Sequence, residues 1–256
     1  MMSDLNFISV NWSAPKHVHA ISTTRRGGYS TGIFQGLNLG AHVQDDPLLV
    51  DKNRQLLSES LSLNDALCWL NQTHSSILLK IDSDTQSGLE ADAAWTTLNQ
   101  QPCIVMTADC LPVLVTDKQG RFVSAIHAGW RGLCDGIIEQ SIDSICTEFG
   151  ILSTELLVWL GPCIGKTAFE VGPEIRAEFM AHDDKAKLAF TEHNDRYLAD
   201  LQQLAKLRLA PLNVAEISVS EHCTFNEADD FYSYRRDGKT GRMATLIWID
   251  SAAVSY

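Results

Sequence analysis

No apolar run approaches the roughly 18 residues a helix needs to cross a bilayer, so no membrane span is expected. The opening MMSDLNFISV has neither a basic n-region nor a long apolar h-region, so a secretory leader is not expected either. There is no CxxC, which removes zinc-ribbon and thioredoxin-like patterns. There is no GxGxxG and no GxxxxGK[ST], so neither a dinucleotide nor a P-loop nucleotide site is indicated. Linkers and internal repeats are missing as well. Positive charge is scarce: 20 Lys and Arg face 32 Asp and Glu, a net charge of −12. A surface that acidic repels phosphodiester backbones and anionic lipid, so nucleic acid and membranes are not expected partners. A small anion remains compatible, because a few converging arginines override the global sign. Seven cysteines, an odd number without regular spacing, argue against a secreted disulfide framework and for a reducing cytoplasm.

What is present is ordinary globular composition, with 45% hydrophobic and 20% charged residues over 256 positions. A chain of that length buries roughly 70% of its unfolded surface without metal or disulfide staples. One domain over residues 1–256 is expected. Strand-like segments are HVHAISTT, CWLNQTHSS running into a polar turn, ILLKID, CIVMTADC, VLVTD, FVSAIHAG, LLVWL, AEISVS and MATLIWI, the last apolar enough to be central. Helices are expected from about Pro47 to Leu61, with Asp46 as cap, and along the Leu133–Ile137–Ser141–Ile145–Phe149 row to Gly150. Two more are expected in FEVGPEIRAEFM and YLADLQQLAKLRLA, while AHDDKAKLAFTEHND, with His182 and His193, reads as a solvated lid or loop. Consecutive strands joined by tight turns imply hairpins. The fold class is therefore α+β with a mixed sheet in layers, not a doubly wound Rossmann fold.

Three metal-ligand types stand where apolar strands end: His74 in NQTHSS, Cys110 in TADCLP and His127 in AIHAGWRG. They are too far apart for a zinc finger but suit ligands drawn from different strands of a sheet. Two imidazoles and a thiolate with one open position make a plausible catalytic zinc site, in which the ion polarises or deprotonates a fourth ligand. The same residues also fit Cys110 as nucleophile with His127 or His74 as its base. Separately, each could be a packed or turn residue. Asp109, one residue before Cys110, would face the opposite side of an extended strand. Arginines beside flexible turns suit bidentate gripping of phosphate or carboxylate: Arg25 and Arg26, Arg131, Arg235 and Arg236, and Arg242. Singly, each is more simply a solvent-facing loop charge. Tyr232, Tyr234, Phe231, Trp130 and Phe34 flank these loops, and one of them could stack a planar ring. His42 and Asp45 are further site candidates, with Asn38 and Arg54 as hydrogen-bonding groups and Arg54 also an anion contact. His222 beside Cys223 is either a second metal pair or a satisfied turn histidine.

NQTHSS, TADCLPVLV, HAGWRG, GPCIG…FEVG and YSYRRDGKTGRMATLIW, with TTRRGGYS and LNLGAHV, together resemble the laccase-domain family, also called polyphenol oxidoreductase or purine nucleoside phosphorylase. That family includes the bacterial peptidoglycan editing factor. The likeness runs from about Ile21 to Trp248. It implies a layered αββα sandwich distantly like the catalytic domain of deamidating bacterial toxins, and Zn2+ held by His74, Cys110 and His127. It implies phosphorolysis of adenosine, inosine, guanosine and S-methyl-5'-thioadenosine, with adenosine deamination as a side activity. In AHVQDD family members often carry glycine where this chain has Gln44.

Eight histidines, with a single HxH at His17–His19, are too few for the mononuclear and trinuclear copper centres of a multicopper oxidase. Copper(II), Cu2+, can still compete for a His₂Cys site on raw affinity. On this reading phosphate is gripped by Arg25, Arg54 and Arg242, His42 or Asp45 moves protons, and the chain is a monomer or weak homodimer. The alternatives are a cysteine-dependent amide hydrolase that removes misincorporated L-serine from peptidoglycan precursors, a copper polyphenol oxidase, and a non-enzymatic metal- or partner-binding protein.

Overall fold

The computed structural model describes residues 5–63 and 67–250. In chain order the strands are β1 (Phe7–Ser9), β2 (Val18–Thr23), β3 (Leu78–Lys80), β4 (Ala93–Thr96), β5 (Cys103–Thr107), β6 (Leu111–Asp117), β7 (Val123–Ala128), β8 (Leu156–Leu160), β9 (Glu170–Val171), β10 (Phe190–His193), β11 (Arg196–Ala199), β12 (Glu216–Val219) and β13 (Met243–Ile249). The helices are α1 (Pro47–Ser60), α2 (Trp130–Cys134), α3 (Ile137–Phe149), α4 (Pro173–His182), α5 (Leu201–Leu209) and α6 (Tyr234–Asp237). None is long and apolar enough to cross a membrane.

Two sheets dominate. One is four-stranded and antiparallel, in the order β1-β2-β13-β5. The other is six-stranded and mixed, in the order β12-β8-β6-β7-β4-β3, with parallel pairs at both edges. Side-chain alternation sorts the core into layers. Cys103 and Val105 of β5 and Ile247 and Ile249 of β13 meet Leu114, Ala125 and Trp159 of the larger sheet. On the outer side of the small sheet, Ile104, Met106, Ala244 and Leu246 pack on Leu57 of α1 and on Leu37 and Leu39. On the outer side of the large sheet, Val113, Ile126 and Val158 pack on Ile138, Ile142 and Ile145 of α3 and Leu204 of α5. The result is an α–β–β–α sandwich, and β13 is central in its sheet.

Some local expectations change. The helix read from Leu133 to Phe149 is two helices, because Gly136 at φ 85° breaks the hydrogen-bond ladder between α2 and α3. CWLNQTHSS is irregular apart from one bridge at Asn71. β4 is not evident in the sequence, where two alanines carry little strand preference. The acidic stretch around His193 is not a plain loop. β10 and β11 form a hairpin that pairs with β9, so Glu170 and Tyr197 are in strands and α4 and α5 begin later than expected.

Candidate metal and substrate site

The chain crosses from the small sheet to the large one between β5 and β6, and Ala108–Cys110 make the turn. Asp109 takes φ 101° there, a conformation costly for a non-glycine residue. The turn is held by its own carboxylate. Thr224 Oγ1 donates to Oδ1 at 2.7 Å, while Ser233 Oγ (3.0 Å) and Arg235 N (2.7 Å) donate to Oδ2. Asp109 therefore does not orient a histidine; it fastens the start of α6 beside Cys110. Across the β6–β7 ladder, His127 is paired with Pro112, which leaves Cys110 as its diagonal neighbour on the inter-sheet face.

His74 arrives on the irregular loop before β3. Gln72 clamps that loop by donating to Met106 O at 2.9 Å and accepting from Met106 N at 2.7 Å. His74 itself has φ 63°, which turns three successive backbone N–H groups toward one point. Asp92 fills it. Its fully buried carboxylate accepts from Thr73 N (3.1 Å), His74 N (3.0 Å), Ser75 N (2.6 Å) and Ser75 Oγ (2.8 Å). This is an anion nest occupied by the protein's own side chain.

Asp92 Oδ1 also takes the Nδ1–H of buried His127 at 2.8 Å, leaving Nε2 for the site. Burial alone would raise the Asp92 pKa; the His127 and Ser75 partners outweigh it and hold the carboxyl down at about 2. Asp92 is the functional residue the sequence reading missed. Its only signal was an aspartate entering the apolar run AAW.

The ligand atoms of His74, Cys110 and His127 all lie within 4.8 Å of one another. Cys110 Sγ is 3.9 Å from His74 Nε2, and the two imidazoles meet edge to face at 4.9 Å. Burial would raise the Cys110 thiol, but His127 and His74 pull it down to about 6, so the thiolate is the resident form at neutral pH. Burial would lower His127; the Cys110 thiolate and Asp92 raise it.

The donor set suits a borderline-soft divalent ion such as zinc: one thiolate and two imidazoles, one of them fixed in its tautomer by a carboxylate. The cradle is also shaped for it. A Cβ on Gly129 would stand 2.7 Å from His74 Cδ2 and 3.2 Å from Cys110 Sγ. Among the described residues this is the one cluster of three or more His, Cys, Asp or Glu side chains able to hold a metal. His17 reaches Gly120 O and His19 stacks on Trp248, so the HxH pair belongs to no second centre. His222 is paired with Glu227 at 2.7 Å, a satisfied turn histidine.

Beside the cluster lies a cationic rim. Arg242 precedes β13, and the charges of Cys110 and Asp109 act on it; Arg54 comes from α1 and stacks on Trp69 at 4.1 Å. Both are half-buried, and desolvation lowers both pKa values, though a guanidinium remains charged. Arg54 binds Leu39 O through Nε and one terminal nitrogen, and Arg242 binds Thr240 O and Gly241 O through one. Guanidinium N–H groups of each are left over among the described residues. His42, exposed on its outer side, lies close to both: desolvation, then Arg242, Arg54 and His127, lower its pKa.

Three other candidates occupy different positions. Arg25 is engaged elsewhere. It donates to Ala228 O and Gln35 O, stacks on Tyr232 at 4.5 Å and lines a separate cavity of about 920 Å³. Buried Asn38 accepts from Arg242 N and Gly40 N and donates to Asp45. Asp45 also accepts from Ser30 Oγ and Asp46 N. Asn38 and Asp45 thus hold the loop that carries His42 and the backbone of Arg242. Gln44 in that loop takes φ 67°, the left-handed conformation that glycine adopts without strain.

Residues 19–250 match the family model described as multi-copper polyphenol oxidoreductase laccase. The chain is 45% identical over 246 residues to a purine nucleoside phosphorylase of Haemophilus influenzae, covering 95% of this chain and 99% of that one. It is 46% identical over 238 residues to purine nucleoside phosphorylase YfiH of Escherichia coli, covering 93% and 96%. Among solved structures, a Neisseria meningitidis protein aligns with TM-score 0.91 at 41% identity, covering 96% of this chain and 100% of that one. YlmD of Geobacillus stearothermophilus aligns with TM-score 0.90 at 27% identity, covering 98% and 99%. By its sequence, its sandwich and the order of its motifs, the chain belongs to the polyphenol oxidoreductase laccase family, whose curated relatives carry the name purine nucleoside phosphorylase.

Proposed function

We propose that the protein is a zinc-dependent purine nucleoside phosphorylase. Its substrates would be adenosine, inosine, guanosine and S-methyl-5'-thioadenosine, and it would deaminate adenosine as a side activity. One observation carries this reading beyond the relatives' names. Two half-buried arginines with guanidinium N–H groups left over among the described residues, Arg54 and Arg242, lie around His42, itself close to His127. An anion site beside a group able to stabilise or protonate the leaving purine suits phosphorolysis of a glycosidic bond.

His74, Cys110 and His127 would hold zinc, which when bound would supply Lewis acidity toward a substrate oxygen or nitrogen. Arg54 and Arg242 bind and orient phosphate so that one oxygen faces C1′ of the ribose. As the C1′–N bond breaks, the C1′–O bond to phosphate forms and the bond electrons leave with the purine. The purine then takes up a proton. His42, whose pKa is lowered beside the two arginines, would carry that proton from phosphate to base. Asp92 holds His127 in one tautomer and His74 on its loop. Deamination exchanges the C6 amino group for a water oxygen, releases ammonia and uses a second pose of the same substrate.

The test is metal analysis of the purified protein together with adenosine turnover, with and without phosphate. Adenine should appear only when phosphate is present. His74→Ala and Cys110→Ala should lose both metal and turnover. Full activity in a variant that has lost its metal would remove zinc from the mechanism, and equal adenine release without phosphate would overturn phosphorolysis.

A second reading has its own observation. Cys110, His127 and Asp92 form a thiolate–imidazole–carboxylate series with the thiol lowered, an arrangement that suits a cysteine amide hydrolase, whose substrates would be peptidoglycan precursors. It leaves His74, 3.9 Å from the sulfur, without a role. A hydrolase would keep its activity after chelation and lose it on alkylation of Cys110.

A further inference from the structure

The site provides charge and metal ligands but no obvious surface for a flat heterocycle. The aromatic side chains near it can be sorted by exposure. Phe231 and Tyr232 are fully buried, Phe34 is 6% exposed, and Trp69 is 8% exposed and capped by Arg54. Trp130 is half-buried, packs against the core beneath α2 and carries Arg131 at 4.3 Å. Tyr234 differs from all of them. It is 62% exposed, and no ring or cation covers it among the described residues.

Its neighbours in α6 are tied to the protein: Arg236 donates to Thr224 O, Phe225 O and Phe231 O, and Arg235, itself exposed, donates to Glu170 O. Tyr234 is not loosely held. The residues on either side of it, Ser233 and Arg235, both donate to Asp109 Oδ2, and Asp109 is covalently joined to Cys110. Tyr234 is also close enough to Arg242 to act on its pKa. An uncovered ring is therefore mounted through Asp109, the neighbour of Cys110, and lies near Arg242, one of the two arginines that would hold phosphate.

We infer that Tyr234 is the platform on which the purine base stacks, and so the residue that selects flat heterocyclic nucleosides for this site. The inference rests on the nucleoside reading above but not on the phosphorolysis step. A tyrosine face also tolerates both amino and oxo groups at C6, because stacking reads the base's π-face and not its hydrogen-bonding edge.

The test compares wild type, Tyr234→Ala, Tyr234→Phe and Trp130→Ala, each loaded with zinc. Equilibrium binding of adenosine and steady-state KM for adenosine and for phosphate are measured. Tyr234→Ala should weaken adenosine binding by about 5- to 160-fold, the range for losing one base–aromatic stack. Its zinc content, melting temperature and phosphate KM should stay near wild type, which a merely structural role would not allow. Tyr234→Phe should remain within about threefold of wild type, because it keeps the ring. Adenosine binding by Tyr234→Ala within twofold of wild type, loss caused by Trp130→Ala instead, or no adenosine binding by wild type would each overturn the inference. If wild type binds adenosine but releases no adenine with phosphate, phosphorolysis fails while the platform stands.

Discussion

Replacing Asp92 by asparagine probes the link between the fold and the metal cluster. Asp92 accepts five hydrogen bonds: His74 N and His127 Nδ1 on Oδ1, and Thr73 N, Ser75 N and Ser75 Oγ on Oδ2. An amide has one acceptor oxygen and one donor nitrogen. With the nitrogen at the Oδ2 position, the backbone N–H groups of Thr73 and Ser75, both part-buried, face a donor. At the Oδ1 position only one does, a preference worth about 1–3 kcal/mol. The asparagine should therefore turn its nitrogen toward His127. That imidazole must then present a bare Nδ1 and carry its proton on Nε2, the atom needed for the metal. Loss of such a supporting carboxylate typically costs 10–100-fold in metal affinity.

The apo protein should lose about 1–3 kcal/mol for the one unpaired donor, or about 2–10 °C in melting temperature for a chain of this size. Zinc competition against a fluorescent chelator and thermal denaturation of the apo protein measure the two effects separately. Zinc affinity in Asp92→Asn within threefold of wild type would refute the tautomer argument, whatever the stability change.

Three further outcomes follow from the same geometry. In metal-free protein, iodoacetamide should modify Cys110 with a pH midpoint near 6, because the thiolate fraction grows as pH rises through its lowered pKa. Cys103 and Cys163, whose thiols burial pushes up, should stay unmodified in the folded chain, as peptide mapping would show. Gly129→Ala has a backbone that accepts alanine, at φ −62° and ψ 156°. Its new methyl would nonetheless stand 2.7 Å from His74, so zinc affinity should fall by about tenfold or more with melting of the apo protein little changed; unaltered affinity would show that His74 can give way. Gln44→Gly should raise stability by up to about 1 kcal/mol, since relief of a left-handed non-glycine outweighs the added freedom of the unfolded chain. A lower melting temperature would mean the Gln44 side chain contributes more than its backbone costs.

Asp46 before Pro47, the apolar β13 and the continuous apolar runs of β5 to β8 were legible because each carries its signal locally, in a cap or a composition. His74, Cys110 and His127 were legible as ligand types at strand ends, and the structure brings them together. The break at Gly136 was not, because glycine inside a helical row is compatible with either one helix or two. Nor was the hairpin at Phe190–Ala199, whose strands gain stability by pairing with β9, far away in sequence.

Residue chemistry by itself therefore determined which atoms could bind a metal or an anion and which segments would alternate or spiral. Tertiary structure decided their partners. It set Asp92 between two histidine segments, diverted Arg25 to the Gln35 and Ala228 carbonyls, and made Asn38 and Asp45 supports for the rim. The physical reason is that a side chain's type is local, whereas its proton, its exposure and its hydrogen-bond partner depend on what chain crossing and sheet register bring to it.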